Sequence, residues 1–381
     1  MNHDVVQLTL DDFEEAIDLI NYVFSQAHDP HDFERRLPKL YRPTEERMRC
    51  LYGIRLRGRL VAVAGAYPLA WQIGATTLRV SGIGGVATHP RHRGEGLMGA
   101  VVSHCVAEAR AAGCHLSWLD GLRRRYRHFG YERCGTELGF RLAARDFAAA
   151  GIDTAELRFR RLQEGDALLA AAQRLHARQE VHWQRAPAEF LTICTSWNAE
   201  LFAALDGDEF AGYLIAGRDQ SRVVELVAVD AADAPRLAAG WCATRGGRIA
   251  VAASPWQTVA ARSLGALADK SELSCCGNWQ VFDWPALLDA VLGERARGGS
   301  LPNGEVVLDI AGAGRLRLWV DGTVGGCAET GDPPQAVLDP VTAKRALCGP
   351  LPAHLAGSAP LPATLESWCP LPLHIPSPDR V

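Results

Sequence analysis

The chain has 381 residues, 48% hydrophobic and 22% charged, with a formal net charge of −4. That length predicts two to three globular domains of about 150 residues each, and the slightly acidic balance argues against a nucleic-acid partner. No apolar run reaches the roughly 18 residues of a membrane span, and the first residues lack the basic and apolar regions of a signal peptide, so neither membrane nor secretion is expected.

In chain order, 5–8 reads as a short strand. Asp11 is placed to cap a helix that lines up Phe13, Ala16, Ile17 and Ile20 on one face. An acidic loop with Asp29, Asp32 and Glu34 follows. Strands are expected at Leu51–Leu56, 59–67 and 78–88, with turns at Arg57-Gly58 and Gly74. A helix over 94–112 carries Leu97, Met98, Val101, Val102, Cys105, Val106 and Ala109 on one side, and Gly113 ends it. A strand at 115–119 and a helix holding Tyr126 complete this unit.

Residues 156–282 repeat the pattern: a strand at Leu157–Arg161, a helix over 165–178, and strands at 201–205, 210–215 and 223–229. Asp283 then caps a helix over 284–292. Beyond the linker that ends at Ser300, strands are expected at 305–310, 315–320 and 323–328, and a helix over 339–347. The end of the chain is rich in proline. Eleven cysteines, an odd number without C-x-x-C spacing, fit reduced thiols in a cytoplasmic protein. The 12 histidines show no metal-ligand spacing with cysteine, so no metal is expected.

The most informative stretch is 86–97, Val-Ala-Thr-His-Pro-Arg-His-Arg-Gly-Glu-Gly-Leu. A β-branched strand ends at Val86, and Arg-x-x-Gly-x-Gly then opens a helix. Gly94 and Gly96 leave backbone N–H groups clear at the positive end of the helix dipole, with Arg91 and Arg93 alongside, which suits a pyrophosphate. Gly82, Gly84 and Gly85, just upstream, suit a bulged strand with room for a ligand arm.

This pattern resembles the acyl-CoA signature of the GNAT superfamily of N-acetyltransferases. The order of elements and the tandem arrangement resemble its Eis-like (enhanced intracellular survival) members. The resemblance implies tandem GNAT folds, that is α+β or α/β units with mixed sheets flanked by helices, followed by a small α+β domain like sterol carrier protein (SCP2). The expected boundaries are 1–150, 151–285 and 286–381. Acetyl-CoA is the implied co-substrate, held by Gly84, Gly85, Val86, Arg91, His92, Arg93, Gly94, Glu95, Gly96 and Leu97, with His92 and Glu95 contributing backbone. In the second copy the loop after Val229 has lost its glycines. Asp230 and Asp233 there would repel phosphate, so one CoA site is expected.

The family's Tyr-x-x-Phe-Gly-Tyr motif falls on 126–131 and implies that Tyr126 is the general acid, since a phenol is protonated at neutral pH. The implied general base is the C-terminal carboxylate, here Val381 where the family usually ends in an aromatic residue. Water, or an acid of the Asp29, Asp32 and Glu34 loop, is the alternative base, and that loop is also the expected acceptor border. The expected reaction is transfer of acetyl to a primary amine of an aminoglycoside-like or polyamine-like molecule by a homo-oligomer. The alternatives are a protein lysine or biosynthetic intermediate as acceptor, or a non-enzymatic acetyl-CoA or ligand-binding protein.

Overall fold

A computed structural model describes residues 3–26, 30–356 and 361–381. The chain divides into two compact units, one made of 1–134, 277–371 and Val381, the other of 135–276 and 372–380. This division runs differently from three consecutive domains, for two physical reasons. Strands cross the expected boundaries: Glu137–Ala143 pairs with Arg248–Ala253 and Lys270–Ser274 in the second unit, while Asn278–Val281 pairs with Leu116–Leu119 in the first. The C-terminal region is also bonded to the first unit. Lys344 Nζ donates to the Gly130 carbonyl at 2.7 Å, and buried Glu132 takes both Arg123 and Arg345.

The first unit starts with β1 (Val6–Gln7), α1 (Phe13–Ser25), the short α2 (Phe33–Arg36) and α3 (Glu45–Met48), and β2 (Leu51–Leu56). It continues through β3 (Arg59–Ile73), β4 (Thr76–Thr88), α4 (Leu97–Ala111), β5 (Leu116–Leu119), α5 (Arg123–Tyr126) and β6 (Glu132–Arg133). The sheet order is β1-β2-β3-β4-β5, then Asn278–Val281, then β6. The β4–β5 pair is parallel, and its register ends at Gly82↔Trp118. The start of α1 lies slightly later than Asp11 suggests. Thr9 and Asp12 first close a 3-10 turn, with the Thr9 N–H donating to Asp12 Oδ2 at 2.7 Å. On α4, Leu97, Val101, Val102, Cys105 and Ala109 are buried, the helical spacing expected of one packed face. They meet Ile54, Ala64 and Ile83 from the sheet.

The C-terminal part of this unit is a smaller α+β region. Its four-stranded sheet has the order Val324–Glu329, Gly314–Asp321, Gly304–Ile310, Ala336–Leu338, and helix Trp284–Arg297 is buried through Leu287, Leu288, Val291 and Leu292. Asp283 caps that helix, accepting from the Ala286 N–H at 2.9 Å.

The second unit is a seven-stranded mixed sheet with helices. Its order is Lys270–Ser274, Glu137–Ala143, Arg248–Ala253, Arg222–Ala228, Glu209–Ala216, Glu200–Asp206, Leu157–Arg161. The two sheets flanked by helices fit tandem GNAT-like folds. After the Arg222–Ala228 strand, the Asp230 carboxylate accepts from the Ala232 N–H at 2.9 Å and so caps the 3-10 turn Ala231–Asp233 that leads into helix Ala234–Thr244. A carboxylate thus sits where a phosphate would otherwise bind.

One ionic cluster is sealed inside this unit. The Arg185 side chain has no solvent exposure and pairs with Glu225 at 2.6 Å and Asp379 at 2.7 Å. Tyr213 donates to Glu225 at 2.7 Å, and His176 Nε2 lies 2.8 Å from the Trp183 carbonyl. Burial, reinforced by Arg185, pulls the His176 pKa down from 6.5 to about 4. A base held neutral when folded binds its proton only in the unfolded chain over that interval. Stability is therefore complete above pH 6.5 and falls as the pH drops toward 4, by about 3 kcal/mol. Denaturant melts from pH 7 to 4 should show this slope and should show it flattened in His176→Gln; equal slopes would contradict the assignment.

Candidate active site

The site begins with a fault in a strand. Along β3 and β4, Val63 pairs with Ala87 but Gly65 pairs with Gly84, so β4 holds one extra residue at this point. Gly85 takes up the difference with φ +61. A β-bulge of this kind bends its strand and interrupts the ladder. Beyond Gly82 no pairing with β5 continues, so the edge of β4 from Ile83 onward turns away from that partner.

β4 runs into the loop that sequence patterning singles out. His89 caps a 3-10 turn, Pro90–His92, and Gly94 and Gly96 adopt φ +87 and +79 before α4 begins at Leu97. Nothing lies within 4 Å of a side chain built at either glycine. These glycines are needed for their left-handed backbone, not for close packing. The N–H groups of Gly94, Glu95, Gly96 and Leu97 have no acceptor among the described residues. They stand at the N-terminus of a 15-residue helix, where the dipole favours an anion.

A cavity of about 680 Å³ opens here, lined by Val86, Thr88, His92, Arg93, Gly94, Gly96, Leu97 and Met98, with Val23, Phe24 and Arg125. The expected ligand-holding residues are thus largely brought together, and two arginines face the same space. Arg91 is exposed outside this lining, and the Glu95 carboxylate meets His92 Nδ1 at 3.2 Å. His92 lines the cavity with its side chain, where only its backbone was expected to serve. A pyrophosphate fits this donor set: free N–H groups, a helix N-terminus and guanidinium groups.

Tyr126 ends α5 and is 5% exposed, outside the cavity lining. Its ring lies over Gly121, whose φ is +127, with Cε2 2.8 Å from where a side chain there would start. Burial raises the phenol above its ordinary pKa, against the pull of Arg125, so it carries its proton at neutral pH. Val381 is 9% exposed and lies on β4. Its carboxyl carbon is 3.1 Å from the position of a Gly84 side chain, and its methyl groups are 2.8 and 3.0 Å from that of Gly82. Any larger residue at either position would expel the terminus.

Of the expected acidic border, Asp29 lies outside the described residues. Asp32 caps α2, accepting from the Arg35 N–H at 3.1 Å. Partial burial raises the Glu34 pKa, with repulsion from Asp32, Glu14 and Asp18 adding to it. Neither Asp32 nor Glu34 lines the cavity. Sequence reasoning missed Tyr41, Gly65 and Tyr67, which meet at the bulge. The only signal for them was an unexplained glycine in a strand of Val and Ala. Among the described residues, no group of three or more His, Cys, Asp and Glu could hold a metal, and no helix is long and apolar enough to cross a membrane.

Residues 4–134 match the family described as "Acetyltransferase (GNAT) domain". No curated protein matches the chain. Among solved structures, a GCN5-related N-acetyltransferase from Kribbella flavida is 20% identical, with a TM-score of 0.64 over 90% of this chain and 89% of that one. A probable N-acyltransferase from Enterococcus faecalis V583 is 16% identical, with a TM-score of 0.66 over 91% and 89%. Eis1 from Mycobacterium abscessus is 16% identical, with a TM-score of 0.63 over 96% and 95%. At these identities the likeness is one of fold alone.

Gly96→Val should weaken CoA binding at least about tenfold while costing about 1–2 kcal/mol of stability, because a branched residue resists φ +79. Calorimetric titration with CoA, beside a thermal melt, checks this. Unchanged affinity would remove the loop from the binding site.

Proposed function

We propose that the chain, whose residues 4–134 match a GNAT acetyltransferase domain, is an acetyl-CoA-dependent N-acetyltransferase acting on a primary amine of a cationic small molecule, aminoglycoside-like or polyamine-like. The observation that carries this reading is the Gly94–Gly96 loop, whose unpaired N–H groups open α4 directly after a bulged β4. Loop N–H groups, with Arg91 and Arg93, hold the pyrophosphate. The free edge of β4 beyond Gly82, including Gly84, Gly85 and Val86, receives the pantetheine arm and polarises the thioester carbonyl through backbone N–H groups. Acetyl-CoA supplies the activated acyl group when bound.

The acid–base roles go to Tyr126 and Val381. The amine attacks the thioester carbon, the C–S bond breaks, Tyr126 gives its proton to the departing thiolate, and a carboxylate takes the proton of the new amide nitrogen. Tyr126 is supported by its proton-holding environment and by its place in the Tyr-x-x-Phe-Gly-Tyr run. Val381 is supported by its seat over Gly82 and Gly84, the two glycines just before the bulge. Asp32 and Glu34, with Asp29, are the proposed acidic border that draws a cationic acceptor. The four-stranded sheet and long helix support an SCP2-like reading of the C-terminal region. An odd number of cysteines, eleven, without C-x-x-C spacing supports a cytoplasmic setting; homo-oligomerisation rests on the resemblance.

The direct test incubates the protein with acetyl-CoA and a panel of polyamines and aminoglycosides and follows free thiol. Turnover with at least one amine is expected; CoA binding without turnover on any would leave a binding protein. Tyr126→Phe should lower kcat about 10²- to 10⁴-fold with little change in acetyl-CoA affinity, and a variant with full kcat would sink the role of this phenol. Removing Val381 alone, which leaves the Arg185–Asp379 pair intact, should lower kcat with acetyl-CoA affinity kept, whereas undiminished activity would exclude Val381.

A further inference from the structure

Two phenols on the α1 side of the bulge have no place in the account so far. Tyr41 and Tyr67 are 3% and 1% exposed, and their rings meet edge-on with centroids 6.2 Å apart. Tyr41 Oη lies 2.5 Å from where a side chain on Gly85 would begin, and Ile20 of α1 lies 3.4 Å from the same point. The Tyr67 ring covers Gly65 in the same way, with Oη at 2.7 Å.

These positions share a face of the sheet. Gly65 pairs with Gly84, and Tyr67 pairs with Gly82. Directly paired residues project to the same side. Val381 covers Gly82 and Gly84 on that side, while Ile83, between them, packs with α4 on the other. Glycines have therefore cleared a space on β3 and β4, and it is bordered by two phenols and the last residue of the chain.

Among the described residues neither hydroxyl meets a partner in good hydrogen-bonding geometry, although both are fully buried and each lies near enough to influence the other. Leaving a buried hydroxyl unpaired is unfavourable, and phenylalanine would fill the same space without that cost. Two such hydroxyls side by side at the bulge call for a partner that arrives with the substrate. Burial pushes the Tyr41 phenol up to about 12 and holds Tyr67 well above the ordinary phenol value, so both remain neutral.

We infer that Tyr41 and Tyr67 form the polar wall of the acceptor site, their phenol oxygens accepting hydrogen bonds from the two N–H groups of a primary amine as it stands at the β4 bulge. This rests on the acetyltransferase reading and narrows it. The nitrogen lone pair forms the new N–C bond, and the C–S pair leaves with sulfur. One nitrogen proton passes to the base, and the other stays on the amide. The phenols gain and lose no bond; they orient the nitrogen so that its lone pair faces the carbonyl carbon. They are positioning groups that touch the substrate, and they favour a primary amine over a secondary one, which has one N–H fewer.

The test uses Tyr41→Phe and Tyr67→Phe in the full chain. Its probe is the polyamine or aminoglycoside with the highest wild-type kcat/KM, with its N-methylated form as the secondary-amine control. Each variant should lose at least about tenfold in kcat/KM for the primary amine and should discriminate less against the secondary one. The acetyl-CoA KM should stay within about twofold, and the melting temperature should hold or rise, since only an unpaired hydroxyl is removed. Unchanged amine kcat/KM in both variants would overturn the inference while leaving the acetyltransferase reading intact. So would lowered melting temperatures with the loss shared equally by acetyl-CoA, the mark of a packing role. A wild-type protein that binds acetyl-CoA but transfers to no amine would overturn both.

Discussion

One extra residue in β4 decides the geometry of the first unit. Because Gly85 and Val86 together stand opposite the single residue Ala64 of β3, β4 bends, and its pairing with β5 stops at Gly82. The backbone that would have joined β5 becomes available to a ligand. The same bend sends the chain toward the Gly94–Gly96 loop and the start of α4. Left-handed glycines are required at all three points, at φ +61, +87 and +79. An L-residue pays about 1–2 kcal/mol in that conformation, so the cradle is encoded by where side chains are missing.

The second unit shows what the same kind of scaffold does without glycines at this exit. Its Arg222–Ala228 strand also shifts register, opposite Ile215 and Ala216, but contains no glycine, and the turn that follows it is capped by the Asp230 carboxylate. An acidic cap satisfies the orphan N–H groups that a phosphate would use, and its charge opposes one. The unit instead invests in a sealed ionic cluster. Arg185 without Glu225 and Asp379 would be an uncompensated buried charge, and so would each carboxylate without it. That mutual need fixes the 372–380 segment against the second unit's own strands.

Much of this was legible in the sequence because it depends on local chemistry. The glycine loop, the arginines beside it, the amphipathic α4 and the aspartates of the second copy are all short-range patterns, and each appears in the structure close to its expected place. What the sequence hid depends on non-local pairing. The expected boundaries put 137–143 with the first domain and 278–281 with the second, yet Glu137–Ala143 pairs in the second unit's sheet and Asn278–Val281 in the first's. No periodicity reports which sheet a strand will enter. Tyr41 was hidden for the same reason: it lies in a loop, and only the fold brings it to Gly85.

The candidate site is therefore built from two kinds of information. The acyl-donor side is local, a run from Gly82 to Leu97 whose backbone does the binding. The acceptor side is assembled from distant points, Tyr41 before β2, Tyr67 within β3, and Val381 at the last position of the chain. A backbone cradle tolerates change in the side chains around it, provided its glycines stay. An acceptor wall made of side chains is altered by a single substitution in any of three separate segments. On the proposed reading, donor use would thereby be held fixed while the choice of amine stayed open to change.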